Sequence, residues 1–249
     1  MNKYLLLAWL IVAAGAAMAH DHVEVGEDPE VPARLGLDGP AFQLALYVPP
    51  GEPFSGYLPD FPGDWQACEL TFTTEVNALN PADGANPRIE VLSISGPPGG
   101  AFGFFEVGGL SPAWLKPAGW TNGPGDTATI EVILGGENHV HGRAFVMSLP
   151  GEYTVVFRAI DTEGGYTPSV EKSVTFSALA PPPMSVAVAG GQAMLSFTSR
   201  LNLDYDLQSS TNLAAGWVTE ETIFGDGAPK VRSMPVGAGP LRYFRLVEY

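Results

Sequence analysis

Apolar and polar residues alternate in short runs along most of this chain. Tyr153, Val155, Phe157 and Ala159 are spaced by two, a period that sends all four to one face of a strand. The same pattern predicts strands over 42–48, 67–74, 88–94, 102–107, 127–134, 140–149, 152–160 and 170–177. A second series follows at 185–188, 192–198, 205–209, 217–223, 230–235 and 241–247. Residues 20–40 open as a strand and turn into an acidic, proline-bearing loop. No segment beyond residue 19 sustains a helical period over three turns.

Glycine and proline supply 30 and 23 of the 249 residues and separate these runs without forming a low-complexity tract. Short strands punctuated in this way predict an all-β protein made of two β-sandwich, immunoglobulin-like domains. The boundaries are 20–177 for the first and 185–249 for the second. Residues 178–184, Ala-Leu-Ala-Pro-Pro-Pro-Met, form a stiff proline-rich spacer. A tyrosine two residues beyond Gly151, opening a strand after Leu149-Pro150, matches the corner tyrosine of such sandwiches. It sets 140–149 and 152–160 as a hairpin or as neighbouring strands across a corner.

The N-terminus changes the compartment. Lys3, an apolar run from Tyr4 to Ala14 and the small-residue end Ala17-Met18-Ala19 read as a secretory signal peptide spanning 1–19. The apolar stretch is short for a membrane span, and nothing later reaches about 18 apolar residues, so the mature chain is expected to be secreted without membrane insertion. Twelve basic and 27 acidic residues give a formal charge of −15. Such a chain has no basic patch to displace phosphate counterions, which argues against nucleic acid as a partner. Cys68 is the single cysteine, so no intramolecular disulfide forms and stability rests on apolar burial.

Candidate chemistry centres on histidine. The chain has four, arranged as two H-x-H pairs, His20/His22 and His139/His141. On a strand, side chains at i and i+2 leave the same face about 7 Å apart and can reach one ion. Four neutral imidazoles suit a tetrahedral zinc site, with Asp21, Glu24 or Glu137 as alternates or supporting acceptors. For a lone H-x-H, polar residues on a strand edge are the ordinary explanation; two pairs holding every histidine favour a metal. Cleavage after Ala19 would also create an amino-terminal His20, giving a copper alternative: a square-planar clamp or a histidine brace completed by His139 or His141.

Other constellations carry less. Trp65, Trp114, Trp120 and Trp217, with Tyr57 and Phe61, suggest a sugar-stacking platform, although sandwich aromatics usually pack into cores and turns. Asp126 and Asp161, or Asp204 and Asp206, lack the spacing of a calcium loop, and Asn202 beside the second pair is a turn former. No nucleophile elbow, metalloprotease, P-loop or dinucleotide motif occurs, and no enzymatic activity is expected.

Two stretches resemble the bacterial surface-anchored protein repeat family. His22-Val23-Glu24-Val25-Gly26 is similar to that family's opening. His139-Val140-His141, Phe145 and Pro150-Gly151-Glu152-Tyr153-Thr154-Val155 are similar to its second half, and Pro112 to Trp120 to its middle. Gly142-Arg143 departs from the family's aromatic tendency, and no wall-anchoring tail is expected. Over about residues 20–177 the resemblance implies a metal-binding protein outside the cytoplasmic membrane, associated with a metal-uptake system or cell-envelope component. The C-terminal unit, with Tyr205 to Leu213, Trp217 and Tyr243-Phe244-Arg245-Leu246, is similar to a β module that ends many secreted bacterial proteins. The expected function is zinc capture or handover through His20, His22, His139 and His141; the alternative is a structural or adhesive surface module contacting glycans or envelope proteins.

Overall fold

The structure is a computed structural model that describes residues 21–54, 58, 60–74, 85–106, 108–123, 129–131, 143–213, 216–236 and 241–249. The described residues are all-β: strands, turns and irregular segments, with no helix. The predicted signal peptide over 1–19, His20, Tyr57, Asp126, Glu137, His139 and His141 lie outside the described residues.

Most of the first unit is one continuous sheet folded into two layers. One layer holds β5 (Pro87–Ser95), β8 (Thr129–Glu131), β10 (Gly151–Asp161) and β11 (Lys172–Ala178). The other holds β4 (Trp65–Thr74), β6 (Ala101–Glu106), β7 (Trp114–Pro117) and β9 (Arg143–Met147). β3 (Phe42–Val48) belongs to both. Its first half, Phe42 to Ala45, pairs parallel with β11; its second half, Leu46 to Val48, pairs antiparallel with β4. Alternation explains what faces inward. Tyr153, Val155, Phe157 and Ala159 of β10 are fully buried, as are Val174 and Phe176 of β11 and Phe145 and Met147 of β9. Rings from the two layers touch: Phe72 and Phe157 lie 5.3 Å apart, and Phe102 and Phe176 4.9 Å, within the range of favourable aromatic contact.

The expected alternation breaks at two places. On β5 the inward residues are Ile89, Val91 and then Ile94, because the pairing with β10 shifts register between Val156 and Phe157. An extra residue in one strand changes the parity of everything beyond it. On β3, Ala45 and Leu46 are both buried, at the point where the strand passes from one layer to the other.

The corner tyrosine sits as predicted, and the described part of the first segment, 143–149, and 152–160 lie across a corner from each other, not in a hairpin: β9 pairs with β4 and β6, whereas β10 pairs with β5 and β11. The Tyr153 hydroxyl donates to the Leu149 carbonyl at 3.0 Å and accepts from the Leu149 N–H at 3.3 Å. Glycines make room for it. A Cβ at Gly96 would stand 2.6 Å from the Tyr153 ring, and one at Gly100 2.4 Å from its hydroxyl.

Two strands extend the second layer at its edge: β1 (Asp21–Glu27) runs parallel to the outer half of β4, and β2 (Leu35–Asp38) folds back antiparallel on β1. Beyond 179–184 come two three-stranded sheets. The first is β12 (Ser185–Ala189), β13 (Gln192–Thr198) and β16 (Pro229–Pro235); the second is β15 (Val218–Phe224), β14 (Asp204–Ser210) and β17 (Tyr243–Glu248). Leu195, Phe197, Tyr205, Leu207, Ile223 and Leu246 form the core between them.

The two units are clamped together. Arg245 of β17 pairs with Glu52 from the first unit, donates to the Pro50 carbonyl at 3.2 Å and to Gln208 at 2.8 Å, and stacks 4.2 Å from the Trp217 ring. Behind it, the Tyr205 hydroxyl donates to the buried Glu248 carboxylate at 2.5 Å. Arg200 pairs with the other oxygen of Glu248 and donates to Ala180 in the spacer at 3.1 Å. Burial and the Glu248 contact push the Tyr205 phenol up to about 12.

Candidate metal centre

β1 carries His22, the one predicted ligand that falls among the described residues. Val23 and Val25 enter the core with no exposure, so His22 and Glu24 occupy the opposite, outer face. In the parallel register Asp21 lies beside Leu70, His22 beside Thr71 and Glu24 beside Thr73. Paired residues share a face, so His22 and Glu24 stand on the same side of the sheet as Glu69, Thr71 and Thr73. Asp21 is anchored separately, its carboxylate accepting from the buried amide of Gln43 at 2.8 Å.

On the other side of β4 runs β9, with Ala144 opposite Glu69. The start of β1 at Asp21 and the start of β9 at Arg143 therefore lie at nearly the same level of one layer. Only β4 separates them, which amounts to two strand spacings or about 10 Å. These are the points where the chain follows His20 and His141 in sequence. Between them stands a residue that sequence reasoning passed over: the Oε1 atom of Glu69 is enclosed and has no hydrogen-bond partner. An enclosed carboxylate oxygen left without a donor costs free energy unless a proton or a cation answers it. The only sequence signal was a lone carboxylate in the apolar run Ala67-Cys68-Glu69-Leu70.

Arg143 limits how the two segments can meet. Its guanidinium pairs with Glu106 at 2.7 Å and lies 6.0 Å from the Phe104 ring, and it shares the inward parity of Phe145 and Met147. Glu69 and His22 share the outward parity. Cys68 adds nothing to the donor set, because it points into the core and burial pushes its thiol far above the usual range, with Glu69 and Asp21 adding to the effect. Among the described residues, no three His, Cys, Asp or Glu side chains group closely enough to hold a metal.

Among the other described candidates, Asp161, Asp206 and the tryptophans have structural roles, whereas the enclosed Oδ1 of Asp204 has no hydrogen-bond partner. Asp161 closes a turn: Oδ1 accepts from the N–H groups of Asn86 and Glu163, and Oδ2 from those of Gly165 and Tyr166, at 2.7–3.1 Å. Burial pushes its carboxyl up, but the four donors outweigh that and hold it below the ordinary value. Asp206 accepts from Thr219 and Thr222, and Asn202 adopts a positive φ of 64° in the preceding turn. Asp28, in the acidic loop, is held low by Arg34 and by the N–H groups of Glu30 and Val31. The tryptophans pack as sandwich aromatics do. Trp114 and Trp120 meet edge to face at 5.4 Å against the core, Trp65 meets Phe105 at 5.9 Å, and Trp217 lies under Arg245. Among the described residues no helix is long and apolar enough to cross a membrane.

No family model matches the chain, and no curated protein matches it.

Proposed function

We propose that the protein is a secreted, metal-binding β protein. Its first unit is an immunoglobulin-like sandwich whose outer rim holds a divalent ion, zinc in the first instance, between two histidine-bearing segments. The observation that supports this reading most directly is the β1–β4–β9 register, which brings the strand ends following His20 and His141 to one level of one layer, with the unpartnered oxygen of Glu69 between them. His20, His22, His139 and His141 supply the imidazoles, and Glu69 adds a carboxylate suited to a hard or borderline cation. If β1's alternation extends back by one residue, His20 shares the outer face with Glu69. His139 and His141 can join them only if the chain turns between His141 and Arg143, and Gly142 is the residue that permits such a turn.

The corner tyrosine, the strand shared between two layers and the two three-stranded sheets support reading the chain as two sandwich domains, the first immunoglobulin-like. The ion would be captured or handed over, with no catalysis and no nucleic acid involved. The partner would be a metal-uptake system or an envelope component.

Isothermal titration of the mature chain with zinc and with copper tests the reading. The expected result is one site, abolished by His139→Ala/His141→Ala and weakened at least tenfold by Glu69→Gln. Unchanged stoichiometry in the double variant removes the second segment from the site. A blank titration of the wild type leaves the adhesive module as the better account. Tight copper binding that requires an amino-terminal His20, checked by mass spectrometry of the mature chain, would favour the brace.

A further inference from the structure

The second unit has an edge unlike the others. β12 reads Ser-Val-Ala-Val-Ala and, among the described strands, pairs on one side only, with β13. All five residues are exposed, Val186 and Val188 at 51% and 67%. A free edge strand offers a row of unpaired backbone donors and acceptors, and most proteins blunt such an edge with charge, proline or brevity. The other described edges follow that rule. β15 carries Glu220 and Glu221, β16 carries Lys230 and Arg232 with a proline at each end, and β7 carries Lys116 and Pro117. β12 has no such protection. No charged residue occurs anywhere between Lys172 and Arg200, so the strand and its neighbour β13 form a neutral strip on a chain of formal charge −15.

The strand is also nearly its own reverse. Laid antiparallel on itself about Ala187, it sets Val186 against Val188 of the other copy twice, with Ser185 against Ala189 at each end. β-branched residues facing each other across strands are favourable partners. We propose that β12 is a self-association edge: two copies of the chain pair their β12 strands antiparallel about a two-fold axis at Ala187. The two three-stranded sheets then become one of six, β16-β13-β12-β12-β13-β16. Such a pairing is isologous and closes at two copies. The proline-rich spacer before β12 and the Gly190-Gly191 turn after it, with φ of 58° and 76°, hold the strand in the hairpin geometry that leaves this edge open. Five residues per strand bury less than a permanent interface does, so the pair is reversible. Screening of the net charge favours it, and added salt strengthens association.

Sedimentation equilibrium of the full mature chain from micromolar to about 1 mM, at low and high salt, tests the proposal. The average mass is expected to rise toward twice the monomer, further at high salt. Ala187→Lys and Ala187→Glu each place like charges opposite one another and should remain monomeric alone, yet dimerise when mixed in equal amounts. Both should keep the wild-type melting curve, because position 187 is exposed. Ala187→Cys should cross-link to itself under mild oxidation, since facing residues of an antiparallel pair lie about 4.5–5.5 Å apart at Cα, within disulfide reach; buried Cys68 does not compete. A wild type that stays monomeric throughout, a dimer unaffected by either charge, a mixture that fails to pair, or growth beyond two copies would each overturn the proposal.

Discussion

The corner tyrosine permits a quantitative test of how the first unit is locked. Tyr153→Phe removes a buried hydroxyl that donates to the Leu149 carbonyl at 3.0 Å and accepts from the Leu149 N–H at 3.3 Å. Loss of such a group with its partners left enclosed costs about 1–3 kcal/mol. Gly100→Ala would push a methyl to 2.4 Å from that hydroxyl and 3.0 Å from the Pro97 carbonyl, an overpacking cost of about 1–3 kcal/mol. The two changes meet at one atom, so their costs should not add. With the hydroxyl gone, the closest contact of the new methyl is gone too, and the double variant should be more stable than the sum of the singles by about 1 kcal/mol or more. Gly96→Ala is the control. Its methyl would strike the ring at 2.6 Å, not the hydroxyl, so its cost should be the same with tyrosine or phenylalanine at 153. Urea unfolding of the parent and the five variants gives the midpoints, with an unchanged slope required for comparison. Additivity within about 0.5 kcal/mol at Gly100, or a Tyr153→Phe variant as stable as the parent, refutes the account of this corner.

Three more outcomes follow from the same contacts. Asp161→Asn leaves one acceptor oxygen where two serve four N–H groups, and should lower stability by about 1–2 kcal/mol, with faster amide exchange at Gly165 and Tyr166 as the local readout. Asp226 is held down to about 2 from 3.8, first by its hydrogen bond to Lys230. A depressed carboxylate stabilises the fold above its unfolded value and loses that contribution as pH falls from about 4 through 2; a carboxyl NMR titration should therefore find a midpoint near 2 that returns toward 3.8 in Lys230→Met. Arg245→Ala strips the junction of its ion pair with Glu52, its bond to Pro50 and its stacking on Trp217. Because the pair is only partly buried, the expected loss is about 1–3 kcal/mol, and calorimetry should show two thermal transitions where the parent shows one.

Strands were legible wherever alternation was strong and local. β10 and β13 are read almost residue for residue from their apolar spacing, and Tyr153 could be placed from the Pro-Gly turn before it. Two short strands escaped. Leu35-Gly36-Leu37-Asp38 offers only two apolar residues between Pro32 and Pro40, and it is a strand because β1 lies beside it. Trp114 to Pro117 ends on a proline and owes its conformation to β6. Non-local facts left fainter traces. That β1 runs parallel to β4 cannot be read from either sequence, since parallel partners are set by the whole topology. The same limit applied to the candidate centre. His22 announced itself by scarcity, whereas Glu69 looked like an ordinary outward residue of an alternating strand. Its enclosure depends on neighbours far away in sequence. The tryptophans went the other way: their packing against Phe104, Phe105 and Arg245 is what aromatics in sandwiches ordinarily do.

The strand common to both layers constrains how this gene can vary. Because Ala45 closes one set of backbone pairs and Leu46 opens the other, one residue gained or lost within β3 would throw both layers out of register together and turn buried side chains outward. Insertions should therefore be tolerated in exposed turns such as Gly190-Gly191 and purged from Phe42–Val48. A library of single-codon insertions, sorted for folded protein, would map that intolerance as a gap seven positions wide.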